Sequence, residues 1–200
     1  MQEGRRALLV VDVQRDFVEG GSLGVAGGEA VAEAVSAFVR RTQGRYAAVV
    51  ASRDHHEAHS DNGGHFPPPG AAPDFATTWP PHCVQGTDGV EYAPGLDLSL
   101  VTHHVRKGEG RPAYSLFEGA TDDGRAVAEV LADAGVDRVD VVGIATDHCV
   151  RASALDAVRA GLATTVLVDL TAGVATRSTA LALTELVRAG ARLGTSDEVA

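Results

Sequence analysis

The apolar positions of this chain form short blocks typical of buried strands, separated by longer stretches with a helical period. Four blocks are rich in β-branched residues and nearly continuous in hydrophobicity: residues 7–13, 46–51, 139–144 and 163–168. Continuous rather than alternating hydrophobicity is typical of parallel strands that are covered on both faces. Two weaker blocks, residues 100–105 and 191–194, are predicted as a fifth strand and a short last strand.

Four other stretches repeat their apolar residues with the period of an α-helix. They are residues 29–41, 123–134, 147–160 and 178–189. The last three are followed by Gly135, Gly161 and Gly190, and glycine is the residue that most often ends a helix. Because strands and helices alternate, the pattern predicts an α/β protein with a mainly parallel sheet and right-handed crossovers.

One segment, residues 54–98, departs from this alternation. It has little periodicity and is rich in proline, glycine and histidine. Loops of this length are uncommon in compact domains unless they carry function. With 200 residues and no internal repeat or linker, the chain is predicted to form a single domain, residues 1–200, with a functional loop at 54–98.

Composition and charge exclude several classes of function. The 17 basic and 27 acidic residues give a net charge of −10, which disfavours nucleic acids and anionic membranes as partners. The apolar blocks are too short to span a bilayer. Two cysteines, Cys83 and Cys149, cannot form a disulfide framework. Because no signal peptide is recognisable either, we expect a cytoplasmic protein.

Polar residues with catalytic potential follow the predicted strands, where an open parallel sheet binds its ligands. They are Asp12, Asp54, His55, His56, Lys107 and Cys149. Each has an ordinary structural interpretation, because a strand-end aspartate often caps a turn, a lysine is usually solvated and a cysteine is usually buried and inert. Their convergence on one edge of the sheet favours a catalytic site instead.

Cys149 has the strongest local argument among these residues. Thr146 or Asp147 is expected to cap the following helix, which places Cys149 in its first turn. The positive end of the helix would stabilise a thiolate, and free amide groups there would bind an oxyanion. Asp12 is positioned to accept the thiol proton and Lys107 to stabilise the anions. Cys83 lacks such a setting and is interpreted as a loop or core thiol.

The histidines predict a metal site. Five of the eight lie between residues 55 and 82: His55, His56, His59, His65 and His82. Together with Asp54 they form a mixed carboxylate and imidazole set, and without a pair of thiolates an open site with bound water is favoured over a closed structural one. The alternative is a polar, solvated loop. His103 and His104, in the weak fifth strand, are interpreted as structural.

Several long motifs carry a resemblance to a known family. They are LLVVDVQRDFVEGGSLGVAGGE, SRDHHEAH, WPPHCVQGT, KGEGRPAYSLFEG and VVGIATDHCVRASALDAVRAGLATTVLVDLTAGV. Over residues 7–194 the chain resembles the nicotinamidase/pyrazinamidase branch of the isochorismatase-like hydrolases. The resemblance implies a three-layer α/β/α fold with a parallel sheet of about six strands. It also implies hydrolysis of nicotinamide to nicotinate and ammonia in NAD salvage, with pyrazinamide accepted too.

The resemblance also assigns roles to individual residues. It implies a catalytic triad of Asp12, Lys107 and Cys149, and an oxyanion hole made by the amides of Ala145 and Cys149. It implies substrate contacts from Phe17, Trp79, Tyr114, Ile144, Ala145 and His148, with a cis peptide bond between Ile144 and Ala145. It implies one divalent metal ion, Fe²⁺, Mn²⁺ or Zn²⁺, held by Asp54, His56 and His82 with His65 as a candidate fourth ligand.

The chain departs from the family in one position, and some alternatives stay open. His55 stands where relatives usually have an aromatic residue, and the alternation of an extended chain points it away from His56. His59 is a further candidate ligand, and residues 67–78 vary too much among relatives to transfer the lid over the pocket. The partner is predicted to be a small molecule, and the protein a monomer or a homodimer.

Two other functions compete with the nicotinamidase interpretation. The first is a related isochorismatase-like amidohydrolase that acts on another small amide or on an N-carbamoyl compound. Isochorismatase itself lacks the nucleophilic cysteine, so Cys149 argues against it. The second is a metal-binding or regulatory protein on the same scaffold, against which the complete triad argues.

Overall fold

A central sheet of seven strands organises the computed structural model, which describes residues 5–199. The strand order is β4-β3-β2-β1-β5-β6-β7, and within the described range only the contact between β3 and β4 is antiparallel. The strands are β1 (Arg5–Val11), β2 (Ala48–Asp54), β3 (His103–Lys107), β4 (Ala120–Thr121), β5 (Val136–Ile144), β6 (Ala163–Ala172) and β7 (Arg192–Gly194).

Helices cover both faces of this sheet. They are α1 (Gly28–Arg41), α2 (Val127–Asp133), α3 (Arg151–Arg159) and α4 (Thr176–Ala189), and a π-helical turn (Thr146–Val150) leads into α3. Leu8 and Val10 of β1 face a core shared with α1, whereas Leu9 and Val11 face a second core shared with α2, α3 and α4. This alternation explains the continuous hydrophobicity of the strand, since both faces are buried. The predicted three-layer α/β fold is therefore confirmed.

Several predicted element boundaries differ from the observed ones. The fifth predicted strand begins at His103 rather than at residue 100. The helix predicted from residue 123 begins at Val127, because the Thr121 hydroxyl and the Arg125 backbone hydrogen-bond to each other in a turn. The sheet also gains the two-residue strand β4, which is too short to give a periodic signal.

The strand order decides where the polar strand ends meet. Strands β3, β2, β1 and β5 are consecutive neighbours, so their carboxyl ends form one continuous edge. Asp54 and Lys107 are direct partners in the pairing of β2 with β3. The segment predicted as a long loop contains one 3-10 helix, Asp88–Val90, and otherwise irregular backbone. Among residues 5–199, no helix combines the length and the apolar character that crossing a membrane requires.

Candidate active site

The side chains of Asp12, Lys107 and Cys149 lie in contact at the edge formed by the strand ends. The Lys107 ammonium is 2.8 Å from Asp12 Oδ2 and 3.8 Å from Cys149 Sγ. It also contacts the Asp54 carboxylate and donates to the Ala113 carbonyl at 3.2 Å. All these polar side chains are buried. The three residues that the sequence predicts as a triad are thus brought together.

A second set of contacts holds the Asp12 carboxylate. Asp12 has φ +48°, a backbone conformation that is uncommon outside glycine, directly after β1. The Ser52 hydroxyl donates to Asp12 Oδ1 at 2.6 Å and accepts from the Asp12 amide at 3.3 Å. Since Ser52 satisfies Oδ1, the other carboxylate oxygen is left to face Lys107. Sequence reasoning missed Ser52, which lies within a strand rather than at its end.

Burial controls the protonation of this cluster. Burial raises the pKa of Asp12, against the lowering effect of Lys107. Burial also raises the pKa of the Cys149 thiol, and the carboxylates of Asp12 and Asp54 raise it further although Lys107 opposes them. Lys107 remains cationic because the two carboxylates outweigh burial and hold its pKa above the ordinary value. Burial thus favours the protonated form of the Cys149 sulfur, which lies beside a carboxylate and an ammonium, whereas the sequence predicts a thiolate stabilised by the helix end.

The turn that carries Cys149 is a π-helical turn rather than the start of an α-helix. The amides of His148 and Val150 both donate to the Ala145 carbonyl, at 3.0 and 3.1 Å, and the Cys149 amide lies between them. The peptide bond between Ile144 and Ala145 is cis. Ala145, His148 and Cys149 all line the same cavity, so this turn presents both sulfur and backbone to a ligand.

The predicted capping role of Thr146 or Asp147 is wrong. Neither side chain caps the turn that begins at Ala145. The Asp147 carboxylate instead accepts from the amides of Val174 and Ala175, at 2.9 and 3.3 Å, and from the Ser178 hydroxyl. Asp147 therefore ties the nucleophile turn to the start of α4, a helix distant in sequence.

Three buried imidazoles form a cluster next to the triad. His56, His65 and His82 each offer a ring nitrogen, and these atoms lie within 4.8 Å of one another. Asp54 Oδ2 is 3.8 Å from Nε2 of both His56 and His82. Asp54 thus faces the imidazoles with one carboxylate oxygen and Lys107 with the other.

The hydrogen bonds of the imidazoles suit metal binding. His56 Nδ1 lies 2.8 Å from the Gly108 carbonyl and His82 Nδ1 lies 2.7 Å from the Pro80 carbonyl, so these nitrogens carry the protons and Nε2 keeps its lone pair. Within residues 5–199, His56 Nε2 and His65 Nδ1 are buried without a hydrogen-bond partner. Burial lowers the pKa of His65 to about 3 and keeps it neutral. This donor set fits a divalent metal ion.

A second group of potential ligands is already neutralised by the protein. Donor atoms of Asp12, Asp54 and Cys149 also lie within 4.8 Å of one another. The Lys107 ammonium contacts all three side chains, so the cation at that position belongs to the protein itself.

The remaining candidate side chains lie outside the cluster. His55 points away and pairs with Glu109 at 2.9 Å, and His59 is exposed. His104 contacts the Tyr92 hydroxyl at 3.0 Å and His103 contacts Thr102, as expected of structural residues. Cys83 is buried, and burial raises the pKa of its thiol.

An apolar cavity of about 280 Å³ opens next to both clusters. Five of the six predicted substrate-contact residues line it: Phe17, Trp79, Tyr114, Ala145 and His148. Trp79 Nε1 donates to the Tyr114 hydroxyl at 2.9 Å, and the Trp79 ring meets the His148 ring edge-on at 5.0 Å. Ile144 differs from the prediction, because it is buried in the core and does not line the cavity.

Sequence reasoning missed a further part of the cavity wall. These residues are Ser22, Leu23, Gly24, Val25, Phe75 and Val174. Val174 follows β6, so the rule that located Asp12 and Lys107 at strand ends would have located it too. Phe75 and the loop of residues 22–25 had no such signal, because they belong to irregular segments.

Comparison with known proteins is consistent with this site. Residues 6–198 match the family model described as the Isochorismatase domain. The chain is 51% identical over 188 residues to the nicotinamidase/pyrazinamidase of Mycobacterium tuberculosis, covering 94% of this chain and 97% of that protein.

Two solved structures are also similar. A pyrazinamidase of Pyrococcus horikoshii in complex with zinc superimposes with a TM-score of 0.80 at 36% identity, covering 96% of this chain and 99% of that one. PnC1 from L. infantum, in complex with nicotinate, gives a TM-score of 0.81 at 34% identity, covering 97% and 94%.

Proposed function

The chain belongs to the isochorismatase domain family, and we propose that it hydrolyses nicotinamide to nicotinate and ammonia in NAD salvage, and pyrazinamide to pyrazinoate. The observation that carries the proposal is the buried contact of Asp12, Lys107 and Cys149 beside three imidazoles on one apolar cavity. A flat heteroaromatic amide suits such a cavity, since aromatic walls bind its ring and the polar end receives its carboxamide.

The first half of the reaction forms a thioester on Cys149. Asp12 takes the thiol proton as the sulfur attacks the carboxamide carbon. The amides of Ala145 and Cys149 would stabilise the tetrahedral oxyanion, and one such donor is typically worth ~3–4 kcal/mol. Asp12 then returns the proton to the nitrogen as the carbon–nitrogen bond breaks, and ammonia leaves.

The second half hydrolyses the thioester with the same base. Asp12 accepts a proton from water as the oxygen attacks the acyl carbon, and the thiol leaves with that proton to complete the cycle. Lys107 is cationic in the resting site, because the carboxylates of Asp12 and Asp54 raise its pKa against the effect of burial. The ammonium therefore holds the Asp12 carboxylate in place and offsets the negative charge.

The imidazole cluster would hold one divalent metal ion. Asp54, His56, His65 and His82 are the proposed ligands, and Fe²⁺, Mn²⁺ and Zn²⁺ all suit these donors. A metal bound there supplies a Lewis-acidic position for the ring nitrogen of the substrate. Phe17 and Trp79 would enclose the ring from its two faces, and the bond from Trp79 to Tyr114 fixes the indole orientation.

The substrate is the proposed partner, and the reaction is assigned to the cytoplasm, where the nucleophilic thiol stays reduced. The main competing function is hydrolysis of an N-carbamoyl compound by the same triad. Phe75 and Val174 form an exposed rim of the cavity.

Ammonia release from a panel of amides tests the proposal. The metal-loaded protein should release ammonia from nicotinamide and pyrazinamide and much less from N-carbamoyl amino acids. Cys149→Ala should abolish the release, because it removes the nucleophile, while metal content stays that of the wild type. Preferred turnover of N-carbamoyl compounds, or full activity in Cys149→Ala, would show that the proposal is wrong.

A further inference from the structure

Three polar side chains alternate along the segment that follows β1: Asp12, Gln14 and Asp16. The proposed reaction uses only Asp12, and neither Gln14 nor Asp16 lines the cavity. We propose that Gln14 and Asp16 are positioning residues. They fix the positions of the proposed metal ligands Asp54 and His82 relative to the carboxylate of Asp12. The inference rests on the proposed function for the identity of the ligands, but it concerns residues to which that function gives no role.

Gln14 clamps the backbone of Asp54 from both sides. Its side-chain amide is fully buried. Oε1 accepts from the Asp54 amide at 2.8 Å, and Nε2 donates to the Asp54 carbonyl at 2.9 Å. Nε2 also donates to the Val90 carbonyl at 2.9 Å. A side chain that satisfies both main-chain groups of one residue fixes its peptide planes, and hence the direction of the Asp54 carboxylate.

Asp16 holds the backbone next to a second proposed metal ligand, His82. Its Oδ2 accepts from the Cys83 amide at 2.7 Å, and that amide belongs to the peptide bond directly after His82. Cys83 has φ +47°, so the chain turns sharply at the ligand and needs an external partner to hold it. The Cys83 carbonyl in turn accepts from the His56 amide at 3.0 Å. Through these backbone hydrogen bonds, the Asp16 carboxylate is connected to two of the three imidazole residues, His82 and His56.

The same carboxylate reaches the wall of the cavity. Asp16 Oδ1 accepts from the Ser22 amide at 3.2 Å, and the Asp16 carbonyl accepts from the Leu23 amide at 2.9 Å. Both Ser22 and Leu23 line the cavity. Asp16 therefore connects the backbone next to His82 with the part of the cavity wall formed by Ser22 and Leu23.

Gly89 leaves the space that Asp16 occupies. A Cβ atom built on Gly89 would lie 2.1 Å from Asp16 Oδ2 and 2.3 Å from its Cγ. Any larger residue at position 89 would displace the carboxylate from the Cys83 amide. Gly89 thus offers a way to test Asp16 without changing its charge.

The test measures the affinity for Co²⁺, a spectroscopic probe of imidazole and carboxylate ligands. Asp16→Asn replaces one acceptor oxygen with a donor, Gly89→Ala displaces the carboxylate, and Gln14→Met removes all three bonds of the amide. Loss of an outer partner of a metal ligand typically weakens metal affinity roughly 10- to 100-fold. We expect this loss by equilibrium dialysis in all three variants, together with a changed Co²⁺ absorption spectrum.

Asp169→Asn is the matched control. The Asp169 carboxylate also accepts from a distant backbone amide, that of Ser196 at 2.9 Å, but it is exposed and does not line the cavity. The Co²⁺ affinity and absorption spectrum of the Asp169→Asn variant should equal those of the wild type. The rise in melting temperature on adding Co²⁺ separates positioning from general destabilisation. Substitution of a purely structural residue would lower the melting temperature equally with and without Co²⁺, so the rise would be unchanged. Substitution of a positioning residue should reduce the rise itself.

The outcomes separate this inference from the proposed function. Co²⁺ affinity, spectrum and temperature rise equal to those of Asp169→Asn would overturn the positioning role: that of Asp16 if seen in Asp16→Asn and Gly89→Ala, and that of Gln14 if seen in Gln14→Met. A wild-type protein that binds no Co²⁺ would overturn it together with the metal site. A wild-type protein that binds Co²⁺ but hydrolyses no nicotinamide would disprove the proposed substrate alone, because these readouts use no substrate.

Discussion

Neighbouring histidines at the end of β2 show how strongly backbone direction decides the chemistry of a single residue. His56 is buried with Nε2 facing Asp54, and its Nδ1 bonds the Gly108 carbonyl. His55 points to the other side, where it pairs with Glu109 near the surface. Gly108 is required for this arrangement, because a Cβ there would lie 2.7 Å from the His56 ring.

The two histidines supply a matched pair of substitutions. His56→Ala should lose the bound metal and raise KM for nicotinamide, because it removes a buried ligand whose lone pair has no other partner within the described chain. His55→Ala should keep metal content and KM near wild type. Metal analysis and steady-state kinetics measure both effects, with alkylation of Cys149 as a check on folding. Metal loss in His55→Ala but not in His56→Ala would shift the ligand assignment by one residue.

At the scale of elements, a tight turn presents Phe75 at the mouth of the cavity. Asp74 Oδ1 accepts the amides of Ala76, Thr77 and Thr78, at 2.9, 2.8 and 2.8 Å. These bonds stabilise Phe75 at φ +56°, where the residue is 58% exposed and its ring meets Trp79 edge-on at 6.1 Å. The amides of Thr78 and Ala76 lower the pKa of the exposed Asp74 carboxyl.

This turn predicts a local response to acid. Because the pKa of Asp74 is lowered in the folded protein, its stabilising effect is complete above the ordinary value of 3.8 and is lost as the pH falls below it. The emission of Trp79, the one tryptophan in the sequence, should change over that range. Asp74→Asn should remove the step, because its side chain does not titrate there. Identical pH curves for the two proteins would contradict the prediction.

The contact between the turn of Cys149 and the start of α4 also predicts an effect on stability. Because Asp147 accepts two amides and a hydroxyl at the start of α4, Asp147→Ala should lower the free energy of unfolding by about 1 kcal/mol, the typical net contribution of a hydrogen bond. Urea denaturation measures this change.

Asp156→Ala is the control for that measurement. Asp156 forms a surface pair with Arg159, so its removal should change the free energy of unfolding by less than about 0.5 kcal/mol. Equal losses in the Asp147 and Asp156 variants would show that the hydrogen bonds of Asp147 contribute nothing specific to stability.

For the molecule as a whole, the sheet order and the long segment after β2 bring the proposed metal ligands together. Asp54 ends a central strand, while His65 and His82 arrive from irregular backbone that folds back over the same edge. A metal ion bound by all three residues would connect the end of β2 with two positions in the irregular segment that follows it. Its binding energy would therefore add to the stability of the fold.

Metal removal should consequently lower the melting temperature. For a ligand that binds only the folded state, a concentration of 100 Kd adds about 2.7 kcal/mol to the free energy of unfolding. Chelator-treated protein should melt at a lower temperature and recover on adding Mn²⁺ or Zn²⁺. His56→Ala should show no such recovery, and an unchanged melting temperature in the chelated wild type would contradict the prediction.

The sequence alone determined the elements and the composition of the site. The hydrophobic periods set the strands, and the order in which strands and helices alternate places the ends of parallel strands on one edge. Asp12, Lys107 and the turn of Cys149 could therefore be located as strand-end residues. These features follow from the hydrophobic period within each element and from the order of the elements, which a pattern of residues records directly.

The tertiary structure decided the partners of those residues. Asp147 accepts an amide 27 residues away, Asp16 accepts one 67 residues away, and Ser52 orients Asp12 across 40 residues. The burial that raises the pKa of the Cys149 thiol also arises only when distant segments exclude water. Such contacts depend on the path of irregular backbone, with positive φ at Phe75 and Cys83, and no periodic pattern encodes that path.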